Sequence, residues 1–158
     1  MDSRKFTPYP SPNFPQQCES VLAQTMCACV SGEFSADTLG APLGVVKRAC
    51  KIVDVFLSCE EAGQDDSDSL SFTCDVYING VTCLTTAPEI QYRSGESSTF
   101  KTTKISGEYT GTTPAAIDTD ADELDPGDVI TYDLVITRTA TPDAEIVTPC
   151  IVVELEPV

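Results

Sequence analysis

The amino-acid sequence predicts an all-β protein: an antiparallel, jelly-roll-like β-sandwich preceded by an extended N-terminal arm. Three observations predict it. Apolar and polar residues alternate in 70–78 and again in 129–138, the period of a strand with one buried face. Clusters of Pro, Gly, Asn and Asp separate such runs, as turns between short strands require. Between 70 and 105 no long stretch repeats apolar residues at helical spacing.

Along the chain, residues 1–17 carry Pro8, Pro10, Pro12 and Pro15, interleaved with Phe6, Tyr9 and Phe14. Proline at this density removes backbone donors and favours an extended, polyproline-like chain. Large aromatic rings tend to bury, so Phe6, Tyr9 and Phe14 are expected to dock, either on the chain's own body or on a partner. Residues 18–30, CESVLAQTMCACV, fit a short helix or a strand. Gly32, Gly40, Pro42 and Gly44 then break the chain. The boundary between the arm (1–40) and the β-sandwich domain (41–158) is expected near residue 41.

In the body, residues 51–59 read as a strand with Val53, Val55, Leu57 and Cys59 inward. In 70–78 the inward set is Leu70, Phe72, Cys74, Val76 and Ile78. Asn79-Gly80 follows, the strongest short hairpin signal, because a type I′ turn needs positive φ at both central residues. A two-residue loop there sets Ile78 against Val81, Val76 against Cys83 and Cys74 against Thr85. Weaker strands are expected within 98–109. Asp125-Pro126-Gly127-Asp128 is turn chemistry. It introduces a strand with Ile130, Tyr132, Leu134 and Ile136 on one face. Residues 150–156 form the last strand, with Ile151, Val153 and Leu155 together.

Composition narrows the function. The chain has 158 residues and a formal net charge of −16, with no His and no Trp. Without His it lacks the commonest general base and the commonest zinc nitrogen ligand. No Gly-rich phosphate loop is present, and no pair of carboxylates stands out as a glycosidase pair. The reading is a protein that is not an enzyme, with no cofactor. An acidic body repels nucleic-acid phosphates, and no apolar run approaches the roughly 20 residues a membrane helix needs. The start MDSRKFTPYPSPNFP has no apolar core of a signal peptide, so synthesis in a cytosol is expected. The charge is uneven: residues 1–51 sum to +1, 52–104 to −6 and 105–158 to −11. The front can therefore approach an acidic neighbour at lower cost than the body can.

The acidic run 118–128, with Asp118, Asp120, Asp122, Glu123, Asp125 and Asp128, fails the EF-hand pattern: Glu123 and Val129 stand where Gly and Glu are required. It reads as a solvated loop, with a different cation loop as the other possibility; the cluster Asp65-Asp66-Ser67-Asp68 reads as solvated too. Of eight cysteines, Cys59, Cys74 and Cys83 fall on predicted inward faces and read as free core thiols. Cys18, Cys27 and Cys29 lie outside the periodic region, and their state stays open.

Several segments carry a resemblance. Asp75-Val76-Tyr77-Ile78-Asn79-Gly80-Val81 is followed by Leu84-Thr85-Thr86. Later come Pro126-Gly127-Asp128-Val129-Ile130-Thr131-Tyr132-Asp133-Leu134 and Thr137-Arg138-Thr139, with a valine-rich last strand, Cys150-Ile151-Val152-Val153-Glu154-Leu155-Glu156-Pro157. Over roughly 45–158 the chain resembles a group of tailed-bacteriophage virion proteins. The resemblance implies a jelly-roll-like domain on the phage head, a capsid decoration or cement protein that binds the major capsid protein at the outer capsid surface, as a trimer. The cysteine-rich front, 18–50, departs from that group. A β-sandwich module for glycan or host recognition, or a head-fibre, neck or tail component, is the other reading, since fold alone does not fix function.

Overall fold

The computed structural model describes residues 24–95 and 100–158, and every helix-or-strand element among them is a strand. The first half holds β1 (Gln24–Cys29), β2 (Glu33–Phe34), β3 (Thr38–Val45), β4 (Cys50–Cys59), β5 (Ser71–Ile78), β6 (Val81–Thr82), β7 (Leu84–Thr86) and β8 (Glu89–Gln91). The second holds β9 (Lys101–Thr102), β10 (Thr112–Thr113), β11 (Ala116–Ile117), β12 (Glu123–Leu124), β13 (Val129–Thr137), β14 (Ile146–Val147) and β15 (Cys150–Pro157). One larger sheet runs β1-β15-β4-β12, with β9 also on β4; the other runs β10-β8-β5-β13-β3, with β6 also on β5. Two small pairs, β11-β7 and β14-β2, complete the fold. All pairings are antiparallel, and the protein is all-β.

The alternation read from the sequence sets the buried faces. Phe72, Cys74, Val76, Ile130, Tyr132 and Leu134 of β5 and β13 join Val55, Leu57, Ile151, Val153 and Leu155 of β4 and β15 in one core. Phe34 of β2 meets Phe72 edge to face, with centroids 6.4 Å apart. β5 and β13 pair without a shift from Ile130–Ile78 to Thr137–Ser71. This uninterrupted register lets one apolar stripe face inward along both strands. At the β5–β6 turn, φ is 51° at Asn79 and 86° at Gly80, as a type I′ turn demands. Ile78 pairs with Val81, and the Cys83 amide donates to the Val76 carbonyl.

Three expectations need correction, and a fourth is met in part. In β4 the inward residue near the start is Ile52, while Val53 is exposed. Glu154 pairs with Asp54 but Leu155 pairs with Ile52, so Val53 is the extra residue of a β-bulge. An extra residue unpaired by the partner strand reverses the inside–outside phase. The hairpin after Gly80 is also shorter than expected, because Cys74 does not meet Thr85. Leu84–Thr86 turns away to pair with β11, and the Cys74 amide donates instead to the Pro88 carbonyl. Residues 24–40, placed in the arm by the sequence reading, contain β1, β2 and the first three residues of β3, all three strands being paired. Of the residues taken as breaks, Gly32 does lie between β1 and β2, but Gly40, Pro42 and Gly44 sit in β3, where two register shifts against β13 absorb them. Within the expected 98–109 strands, the described residues form only Lys101–Thr102.

Candidate interaction surface

Phe6, Tyr9 and Phe14, the expected contact residues, lie outside the described residues. What the structure fixes is where the segment carrying them joins the body. Gln24 opens β1 opposite Leu155, and the next strand over sets Pro157 against Cys50. Cys50 also pairs with Leu124, from which 125–128 lead into β13. Val46 and the turn at 125–128 are stitched together: the Gly127 amide donates to the Val46 carbonyl, and the Val46 amide to that of Asp128. Gln24, the end of β3 and the start of β13 therefore lie at one end of the molecule.

That end exposes apolar side chains. Val45 and Val129 are a cross-strand pair, exposed by 54% and 40%, and Val81 beyond the Asn79-Gly80 turn by 64%. Lys47 and Arg48, two of the chain's nine bases, are exposed in the β3–β4 connection beside them. Asp125 and Asp128 are there too, but Asp128 is engaged. Its Oδ1 accepts from Asn79 Nδ2 at 2.7 Å and its Oδ2 from the Asp125 amide at 2.8 Å. The Asn79 bond, then the Asp125 amide, hold its carboxyl below the usual range against a smaller desolvation effect. Asn79 Oδ1 in turn accepts from the Val129 amide at 3.0 Å, so one side chain locks the hairpin tip to β13.

Within the acidic run 118–128, Asp120, Glu123 and Asp125 are exposed, whereas the side chains of Asp118, Asp122 and Asp128 hold local structure. Asp118 Oδ1 accepts from the Asp120 amide at 3.0 Å, an Asx turn. Asp122 is buried, with Oδ2 2.9 Å from Lys51 Nζ and its backbone carbonyl bound by the Ile52 amide. Among the described residues no group of three or more His, Cys, Asp or Glu could hold a metal ion. Asp65 of the second cluster is also buried rather than solvated. Its carboxylate accepts from the Ser69 amide at 2.9 Å, the Ser69 hydroxyl at 2.5 Å and the Ser67 hydroxyl at 3.3 Å. Burial pushes its pKa up, but those bonds and one from the Leu70 amide outweigh it, so the group lies below its ordinary value.

The cysteines divide by location. Cys59, Cys74 and Cys83 are buried free thiols, as the alternation predicts, and Cys50 joins them. Burial pushes Cys59 and Cys83 up to about 12 and raises Cys74 and Cys50, which keeps them unreactive thiols. Cys29 and Cys150 form a disulfide, while Cys27, two residues along β1, is free and exposed. The sequence reading missed this bond. Its signal is that both residues end strands, but eight cysteines allow too many pairings for that to decide.

Beside the disulfide lies an ordered outer face, where register aligns Thr25–Glu154–Asp54, Cys27–Val152–Phe56 and Cys29–Cys150–Ser58 across β1, β15 and β4. Lys104 Nζ lies 2.7 Å from both Asp54 and Glu154 and 4.5 Å from the Phe56 ring centroid. No helix among the described residues is long and apolar enough to cross a membrane. No known protein-family model, curated protein or solved structure matches the chain.

Proposed function

We propose that this is a viral structural protein, a capsid decoration (cement) protein whose jelly-roll-like β-sandwich stabilises a tailed-phage head by binding the major capsid protein from outside. The observation that carries the reading is the shared end. The segment with Phe6, Tyr9 and Phe14 joins the body where Val45, Val81 and Val129 are exposed beside Lys47 and Arg48. Exposed apolar side chains beside local positive charge, at one end of an otherwise acidic chain, suit docking to an acidic lattice, and aromatic anchors concentrate binding energy in a few contacts. Of the segments that carry the resemblance, Asp75–Ile78 and Val129–Leu134 fall on β5 and β13, neighbours in one sheet, while Leu84–Thr86 falls on β7 and the last strand is β15 of the other larger sheet.

A prolyl arm of modest affinity holds firmly when its domain is also seated on the lattice, because the second contact forms at high effective concentration. The test is retention on phage heads stripped of the protein. Deleting residues 1–16, or changing Phe6, Tyr9 and Phe14 together to Ala, is expected to leave the body folded and to weaken retention at least tenfold. Lys47→Glu with Arg48→Glu should weaken it further at low salt. Heads that fail to bind the intact protein, alongside specific binding to a glycan panel, would establish the surface-recognition reading instead.

A further inference from the structure

The two larger sheets end in strands of very different character. β12, β9, β10 and β6 are two residues each. β3 is interrupted by Pro42 and by two register shifts against β13. Short strands, prolines and bulges are the devices that stop an edge from pairing with another chain. β1 has none of them. It runs for six residues, QTMCAC, in unshifted register with β15, without Pro, Gly or charge.

The hydrogen-bonding phase of β1 follows from one distance. Cys29 and Cys150 are directly opposite with Cα atoms 4.1 Å apart, the close spacing of a non-hydrogen-bonded pair. Alternation then makes Cys27–Val152 and Thr25–Glu154 non-hydrogen-bonded pairs as well. The Val30 amide bond to the Pro149 carbonyl, at 3.0 Å, fits the same phase. Hence the backbone N–H and C=O groups of Thr25, Cys27 and Cys29 point away from β15. Among the described residues β1 has no strand partner but β15.

We propose that β1 pairs with β1 of a second copy across a two-fold axis, joining the two sheets edge to edge. Antiparallel pairing must set outward residues opposite outward residues. Only a register centred on Cys27 uses all three: Cys27 opposite Cys27 of the second copy, and Thr25 opposite Cys29 in each direction. That ladder has about six hydrogen bonds, and its contact is isologous, so it closes as a dimer.

Two acidic copies repel each other least at this edge. The chain as a whole carries −16, yet the β1 row is uncharged, and the nearest acids on its outer face, Glu154 and Asp54, are both bound by Lys104. The inference stands apart from the capsid reading, and its two-fold pair differs in mass from the trimer that the resemblance implies.

The test is the mass of the full-length protein in solution, by sedimentation and native mass spectrometry, with diamide oxidation and peptide mapping. The wild type should be a dimer. The central pair should sit about 5.5 Å apart at Cα, within disulfide reach, so diamide should link Cys27 to Cys27. Cys27→Ser should keep the dimer and lose the link. Cys27→Pro removes an outward N–H that β15 does not use, a tolerated edge position. It should weaken dimerisation a hundredfold or more with an unchanged far-UV circular dichroism spectrum. Thr25→Pro removes the next outward N–H and serves if Cys27→Pro unfolds. A monomer at 100 µM, whether its edge is bare or covered by its own residues 1–23, would overturn the proposal. So would a trimer, or a dimer that survives both prolines.

Discussion

Replacing Val76 with Asp tests the register on which the whole core depends. Val76 is fully buried in β5 and lies opposite Tyr132 of β13. The change removes the burial of a valine side chain, about 2 kcal/mol, and leaves a carboxyl with no partner in an apolar core, about 2 kcal/mol or more. A loss of at least about 4 kcal/mol is expected against a total stability of about 5–15 kcal/mol. Thr73 is on the other face of the same strand, half-buried between Val135 and Glu89. Thr73→Asp sets two negative side chains directly opposite and should cost about 1 kcal/mol or less. Thr73→Lys sets opposite charges there and should cost less than Thr73→Asp. Urea unfolding followed by far-UV circular dichroism gives the three midpoints, and the order of loss should be Val76→Asp, then Thr73→Asp, then Thr73→Lys. Equal losses at 76 and 73 would refute the assigned faces, and a worse Thr73→Lys than Thr73→Asp would refute the pairing with Glu89.

Three further outcomes follow from named contacts. Because the folded pKa of Asp65 is lowered, its contribution is complete above the ordinary carboxylate pKa of about 4 and is lost as pH falls through the folded value. Ser69→Ala, which removes one of its charge-assisted bonds, should cost about 2 kcal/mol at pH 7 and progressively less below pH 4 in acid unfolding curves. In the native protein, iodoacetamide should modify Cys27 and leave Cys50, Cys59, Cys74 and Cys83 unmodified until urea is added, as read by peptide mass. Asp133 lies directly opposite Asp75, and Asp75 and Asp133 help burial raise the Tyr77 hydroxyl to about 12. Asp133→Asn keeps an acceptor for the Gly40 amide and removes that repulsion. It should raise the unfolding midpoint slightly and lower the alkaline midpoint of Tyr77 in a phenolate absorbance titration.

The sequence by itself determined the elements whose information is local. Period-two alternation assigned the buried faces of β5, β13 and β15, because a strand's side chains alternate whatever lies next to it. Asn79-Gly80 set its turn because so few residue pairs accept positive φ at both positions. The burial of Cys59, Cys74 and Cys83 followed from the same parity. Only the tertiary structure decided what depends on a distant partner. The bulge that exposes Val53 is a mismatch between β4 and β15, two strands about a hundred residues apart, and neither sequence contains it alone. Residues 24–29 carry no alternation strong enough to separate helix from strand; β15 makes them a strand by offering a ladder and the Cys29–Cys150 bond. The acids of 65–68 and 118–128 read as solvated charge, yet Asp65 and Asp122 are buried, because Ser69 and Lys51 supply the donors that make their burial affordable. Backbone parity is written in each segment, whereas the identity of a strand's neighbour is settled only when the sheets assemble.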